Sequence, residues 1–187
     1  PLLDSLELPN VEARRFAQPS NAEPVPVAGR GALPAQIIAR NKRKVFIVYG
    51  RDDVAKYEVS RFVEGLDLEV IILHEQANAG MTIIEKIERY TNDADFALVL
   101  YTPCDQGRGY HEQQEPPKDR ARQNVVFEHG YLMAKLGREN VCALVKGAIE
   151  TPNDINGVVY VNLDQAGAWK REIVNELRAC GYTISIW

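Results

Sequence analysis

Glu85 follows an apolar run, Leu68–Leu73, and a turn-rich stretch, His74–Gly80, and it opens a segment that reads as an amphipathic helix to about Thr91. In an open α/β sheet, ligands bind at the carboxyl ends of the strands, where such a loop passes into its helix. A carboxylate there, kept ionised by the helix macrodipole, can hold hydroxyl groups or stabilise a developing positive charge. The plain alternative is that an acidic first turn is ordinary helix design and that Glu85 pairs with Arg89 one turn on.

Two further polar groups occupy equivalent places. Gly50, Arg51 and Asp52 follow the apolar run Val45–Tyr49; Asp52 or Asp53 suits a helix N-cap, and Arg51 suits a bidentate contact to the pyrophosphate of a dinucleotide. Arg122, Gln123 and Asn124 open a helix after a third apolar run, with Asn124 as the expected N-cap. Glu128 lies one turn further in, among Val125, Val126, Phe127 and Tyr131. A carboxylate in such company costs free energy unless it is paired, and Arg122 or Arg51 is the expected partner. We expect Glu128 to border the same crevice.

The elements that must position these groups alternate between strand and helix from Lys44 onward. Strands are expected at Val45–Tyr49, Leu68–Leu73, Phe96–Tyr101, Val141–Val145 and Gly157–Val161. Helices are expected at about Asp53–Gly65, with Val59, Phe62 and Val63 inward, through Glu85 to Thr91, at Gln123–Leu136 and at Gly167–Cys180. Ile83, Ile84, Ile87 and Tyr90 form the apolar stripe of the second helix. The pattern predicts an α/β fold with a parallel sheet and helices on both faces, joined by right-handed crossovers. The polar stretch Thr102–Arg120 has no assigned structure. Gly29-Arg30-Gly31 and Gly107-Arg108-Gly109 lack the strand, helix and third glycine of a dinucleotide fingerprint and read as loop.

The segments Lys44–Asp52, Ile71–Gln76, Thr82–Lys86, Ala121–Tyr131 and Lys135–Gly147, taken in order, resemble the TIR-like domain of bacterial antiviral effectors, among them TIR modules fused to cyclic-nucleotide sensors. The resemblance spans residues 44–182. It implies a flavodoxin-like fold with five parallel strands and, as activity, cleavage of the bond between nicotinamide and ribose in NAD+. NAD+ is then substrate rather than cofactor. The essential acid of catalytic TIR domains falls on Glu85, with Glu128 as a weaker supporting candidate and Gly50, Arg51, Asp52, Arg122 and Asn124 on the substrate. Glu128 with Gly130 two residues on is also similar to the catalytic segment of nucleoside deoxyribosyltransferases. The resemblance further implies self-association through the loop His74–Met81. Two other readings stand beside this one: a TIR scaffold without catalysis, and a nucleotide-binding signalling domain that relies on Arg51, Arg122 and Asn124.

Composition narrows the field. A formal net charge of −4 argues against a nucleic-acid surface as the main function, and 45% hydrophobic with 26% charged residues is ordinary for a soluble domain. No apolar run approaches the ~20 residues of a membrane span, and no signal peptide is visible, so a cytoplasmic location is expected. Cys104, Cys142 and Cys180 are widely spaced without a CxxC pair, and Cys142 lies in an apolar strand as a small buried hydrophobe. His74, His111 and His129 have no metal-ligand spacing, and no metal is expected. Six of the ten prolines fall in the first 34 residues. Residues 1–43 therefore read as a linker or arm ahead of a domain at 44–187, and the start at Pro1 is taken to mean an upstream sensor or partner-binding domain in the parent protein.

Overall fold

The computed structural model describes residues 43–73, 80–92, 94–152 and 158–185. The expected arm at 1–43, except Arg43, and most of the loop His74–Met81 lie outside the described residues.

Five strands form one parallel sheet: β1 (Lys44–Val48), β2 (Glu69–Ile72), β3 (Phe96–Tyr101), β6 (Val141–Val145) and β7 (Val159–Asn162), in the order β2-β1-β3-β6-β7. Between β3 and β6 a small antiparallel hairpin is made by β4 (Asp105–Gly107) and β5 (Lys118–Arg120). The helices are α1 (Asp53–Gly65), α2 (Ile83–Thr91), α3 (Gln123–Leu136) and α4 (Trp169–Ala179). The expected α/β fold and its parallel five-stranded sheet are thus found. The ends of β3, β6, α1 and α3 fall where the sequence puts them, and those of β1, β2, β7 and α4 differ by one or two residues, as ends set by fraying do. Gly157, the expected first residue of the last strand, lies outside the described residues.

The central strands are buried on both faces because their sequences are apolar without alternation; every residue of β3 is buried. Val45, Ile47, Leu98, Leu100 and Leu144 face Val59 and Val63 of α1 and Trp169, Ile173 and Leu177 of α4. Phe46, Val48, Val99, Tyr101 and Ala143 face Ile87 of α2 and Val125, Leu132 and Leu136 of α3. Trp169 is fully buried and meets Phe62 edge-on at 4.9 Å. In α2 the stripe is narrower than expected. Ile87 is fully buried and Tyr90 packs on the core, but Ile84 is 48% exposed, and the side chain of Ile83 lies outside the description. Cys142 is buried in β6, as its surroundings in the sequence required.

The stretch left without structure, 102–120, contains the β4–β5 hairpin. Its strands are polar and three residues long, so no periodicity announces them. Gln106 donates to Asp119 at 2.9 Å across the pair, and Arg120 lies over Gly107, where any side chain would collide with its guanidinium. Gly137 ends α3 with φ +88° and ψ 141°, backbone that L side chains rarely adopt. Gly137→Ala is expected to lower stability by about 1–3 kcal/mol, read by denaturant titration.

Candidate functional site

The sheet order reverses at β1 and β3, and the crevice at their carboxyl ends is where a doubly wound sheet binds ligands. The β1–α1 loop is held there from several sides. The Arg51 backbone N–H lies 3.3 Å from Cys104 Sγ, and the Thr102 hydroxyl lies 3.1 Å from the same sulfur. A Cβ on Gly50 would stand 2.8 Å from Cys104 Sγ and 3.5 Å from Arg122 Cγ, so only glycine lets the loop, the β3 end and the start of α3 approach this closely. The structure therefore brings Arg122 beside the loop Gly50-Arg51-Asp52. Among the described residues the Arg51 and Arg122 guanidinium groups have no hydrogen-bonded or ion-pair partner.

Asp52 is the N-cap of α1: its Oδ1 accepts from the Ala55 N–H at 3.0 Å. Its Oδ2 accepts from Lys146 Nζ at 2.6 Å. Burial pushes the Asp52 carboxyl up, but the Lys146 hydrogen bond, the Ala55 N–H and the ammonium charge outweigh it and hold the group below its usual 3.8. A depressed folded-state value contributes stability above the ordinary carboxylate range and loses it as pH falls through that range. The difference in melting temperature between wild type and Asp52→Asn is accordingly expected to shrink as pH drops from about 5 to below 3. A constant difference would contradict the ion pair.

Glu85 stands in the first turn of α2, exposed, and closes a capping box. The Thr82 N–H donates to Glu85 Oε2 at 2.7 Å, and the Glu85 N–H donates to Thr82 Oγ1 at 3.3 Å. The Thr82 N–H, followed by its side chain, holds the Glu85 carboxyl below the ordinary range, so the group is ionised at neutral pH. The alternative pairing with Arg89 is not found: Arg89 lies over the Tyr90 ring and reaches Met81 Sδ at 3.9 Å.

Two expectations about α3 are corrected. Its N-cap is Arg122, not Asn124, and no side chain caps it; Asn124 falls at the second helical position and is exposed. Arg122 packs beside Gly50 of the β1–α1 loop, and this tertiary contact rather than side-chain propensity accounts for where the helix begins. Glu128 is buried, 2% exposed, and among the described residues no ion pair joins it to Arg122 or Arg51. Burial without a cation pushes its carboxyl up to about 7.

The sequence reading passed over Lys146, Thr102, Cys104 and the Tyr101–His129 pair. His129 Nδ1 lies 2.8 Å from the Tyr101 hydroxyl in the core, and burial lowers the imidazole to about 4, so it is neutral. Lys146 follows directly on the apolar run of β6, the same place that singled out Gly50–Asp52 after β1, and that rule would have found it. Among the aromatic side chains, Tyr101 is buried, Tyr110 and Phe127 are exposed, and Tyr49 lies under the Lys56 ammonium at 4.9 Å.

Residues 44–165 match the family described as CAP12/Pycsar effector protein, TIR domain. The chain is 48% identical over 139 residues to the uncharacterized protein YuaY of Escherichia coli strain K12, a match covering 74% of this chain and 46% of YuaY. It thus spans less than half of that relative. It is also 34% identical over 152 residues to protein tirC of Dictyostelium discoideum, covering 74% of this chain and 72% of tirC.

Proposed function

The chain belongs to the CAP12/Pycsar effector TIR domain family over residues 44–165, and from that membership we propose that it is an NAD+ glycohydrolase of bacterial anti-phage defence, active when self-assembled. The observation that carries the reading is Glu85, an exposed, ionised carboxylate in the first turn of the helix after β2. Cleavage of the nicotinamide–ribose bond passes through an oxocarbenium-like state, and nicotinamide leaves without needing a proton. One fixed carboxylate then suffices, either to hold the ribose hydroxyls and stabilise the cation or to trap it as a transient nucleophile. Arg51 and Arg122 would take the pyrophosphate, with Gly50, Asp52 and Asn124 shaping the pocket and Glu128 in support. The products are nicotinamide with ADP-ribose or with a cyclised form.

In this reading the loop His74–Met81 contacts the next protomer. A head-to-tail contact of that kind builds filaments unless its rotation closes a ring. The trigger would be an upstream sensor, for example of a cyclic nucleotide, in a cytoplasmic protein. No helix among the described residues is long and apolar enough to cross a membrane.

The capping box favours a second reading, a non-catalytic scaffold in which Glu85 serves only α2. Incubating concentrated, crowded protein with NAD+ separates the two. Nicotinamide release is the expected result, with its rate per protomer rising with protein concentration. No release from assembled protein would leave the scaffold.

A further inference from the structure

We propose that Lys146 is a positioning residue of the crevice: its ion pair with Asp52 straps the β1–α1 loop across the carboxyl end of β3 and so sets Arg51 for the pyrophosphate of a dinucleotide. The inference rests on the dinucleotide reading of this same site.

The strap follows from the sheet order. β1 and β6 are not neighbours, because β3 lies between them. The contact from Lys146 Nζ to Asp52 Oδ2, 2.6 Å long and 94 residues apart in sequence, therefore passes over the end of β3. Lys146 is itself fixed, since its backbone N–H donates to Tyr101 O at 2.9 Å, at the last residue of β3. The Asp52 side chain is 20% exposed and that of Lys146 42%, so the pair is withdrawn from solvent on the carboxylate side only. With Oδ1 on the Ala55 N–H and Oδ2 on Lys146, both oxygens of Asp52 are committed. Arg51, the residue immediately before it, has its backbone N–H on Cys104 and its carbonyl accepting from the Asp53 N–H at 3.1 Å. The backbone of Arg51 is thus fixed from both sides while its guanidinium remains available. A bidentate arginine contact requires such placement, because a shift of the loop misaligns both hydrogen bonds together.

The test compares wild type, Lys146→Met, Lys146→Arg and Asp52→Asn in nicotinamide release at varied NAD+, with melting temperatures alongside. Asn retains the helix cap, so Asp52→Asn removes the strap without disturbing α1. A lost strap is expected to raise KM about 10-fold in Lys146→Met and in Asp52→Asn with kcat changed less than about 2-fold, and Lys146→Arg is expected to restore most of the affinity. An unchanged KM in Lys146→Met overturns the proposal, whatever its melting temperature. So does a lowered KM in Asp52→Asn, which would mean that a released Lys146 binds phosphate itself. Titration with ADP-ribose keeps this result separate from the catalytic reading. If wild type releases no nicotinamide yet binds ADP-ribose about 10-fold more tightly than Lys146→Met, the glycohydrolase reading fails and the strap stands. Equal ADP-ribose affinities, or no binding to wild type, overturn the strap.

Discussion

Glu85→Gln is expected to cut nicotinamide release by at least about 100-fold while leaving the fold intact, because the substitution separates the two duties of one carboxylate. The capping box accepts Gln as readily as Glu, since it needs only an oxygen to receive the Thr82 N–H. The melting temperature should therefore move by no more than about 2 °C. The amide carries no charge, so it cannot stabilise an oxocarbenium ion or attack it. In the ionised wild type Oε2 is engaged by Thr82, which leaves Oε1 as the oxygen for a ribose hydroxyl or the anomeric carbon. Glu85→Ala loses both duties, and it should lower the melting temperature in addition to abolishing release. The ordering of the two variants is the diagnostic. Gln inactive but stable, with Ala inactive and less stable, identifies a catalytic carboxylate that also caps α2. A Gln variant as active as wild type would reduce Glu85 to a cap and remove the basis of the glycohydrolase reading.

The sheet was legible because burial on both faces demands continuous apolar runs, and Val45–Val48, Phe96–Tyr101 and Val141–Val145 have no other sensible reading. The hairpin was not, because Asp105–Gly107 and Lys118–Arg120 bury little and are held by cross-strand hydrogen bonds and by the close fit of Arg120 on Gly107. The crevice divides in the same way. Gly50, Arg51, Asp52 and Arg122 could be placed by asking which polar residues follow a strand. The same rule marks Lys146 after β6 but not its pairing with Asp52, which depends on a strand order that no local pattern encodes. The start of α3 was misplaced because propensity favours Asn124 as cap while the tertiary anchorage of Arg122 beside Gly50 decides the matter. The Thr82–Glu85 spacing is itself a capping-box signature, so the competing duty of Glu85 was also within reach of the sequence.

Glu128→Gln is expected to stabilise the protein at alkaline pH and not at acid pH. The buried carboxyl has its folded-state value raised to about 7 from an ordinary 4.5. Below about pH 4.5 the group is protonated in both the folded and unfolded chain, and it adds no pH-linked cost. Between the two values the unfolded chain releases the proton and the folded chain keeps it, so stability declines as pH rises. Above about 7 both are ionised, and the decline levels off at about 3 kcal/mol, taking 1.36 kcal/mol for each unit of separation. Gln is neutral throughout and escapes that decline. Its advantage should be near zero at about pH 4 and should grow to roughly 6–12 °C in melting temperature at about pH 8. A gain equal at both pH values would show that Glu128 is not held protonated by burial. Assayed for nicotinamide release, the same variant tells whether the burden serves the site. Undiminished release would make Glu128 a cost carried by α3 alone, whereas loss of release from a more stable protein would place the carboxyl in the chemistry, where stability is commonly given up for activity.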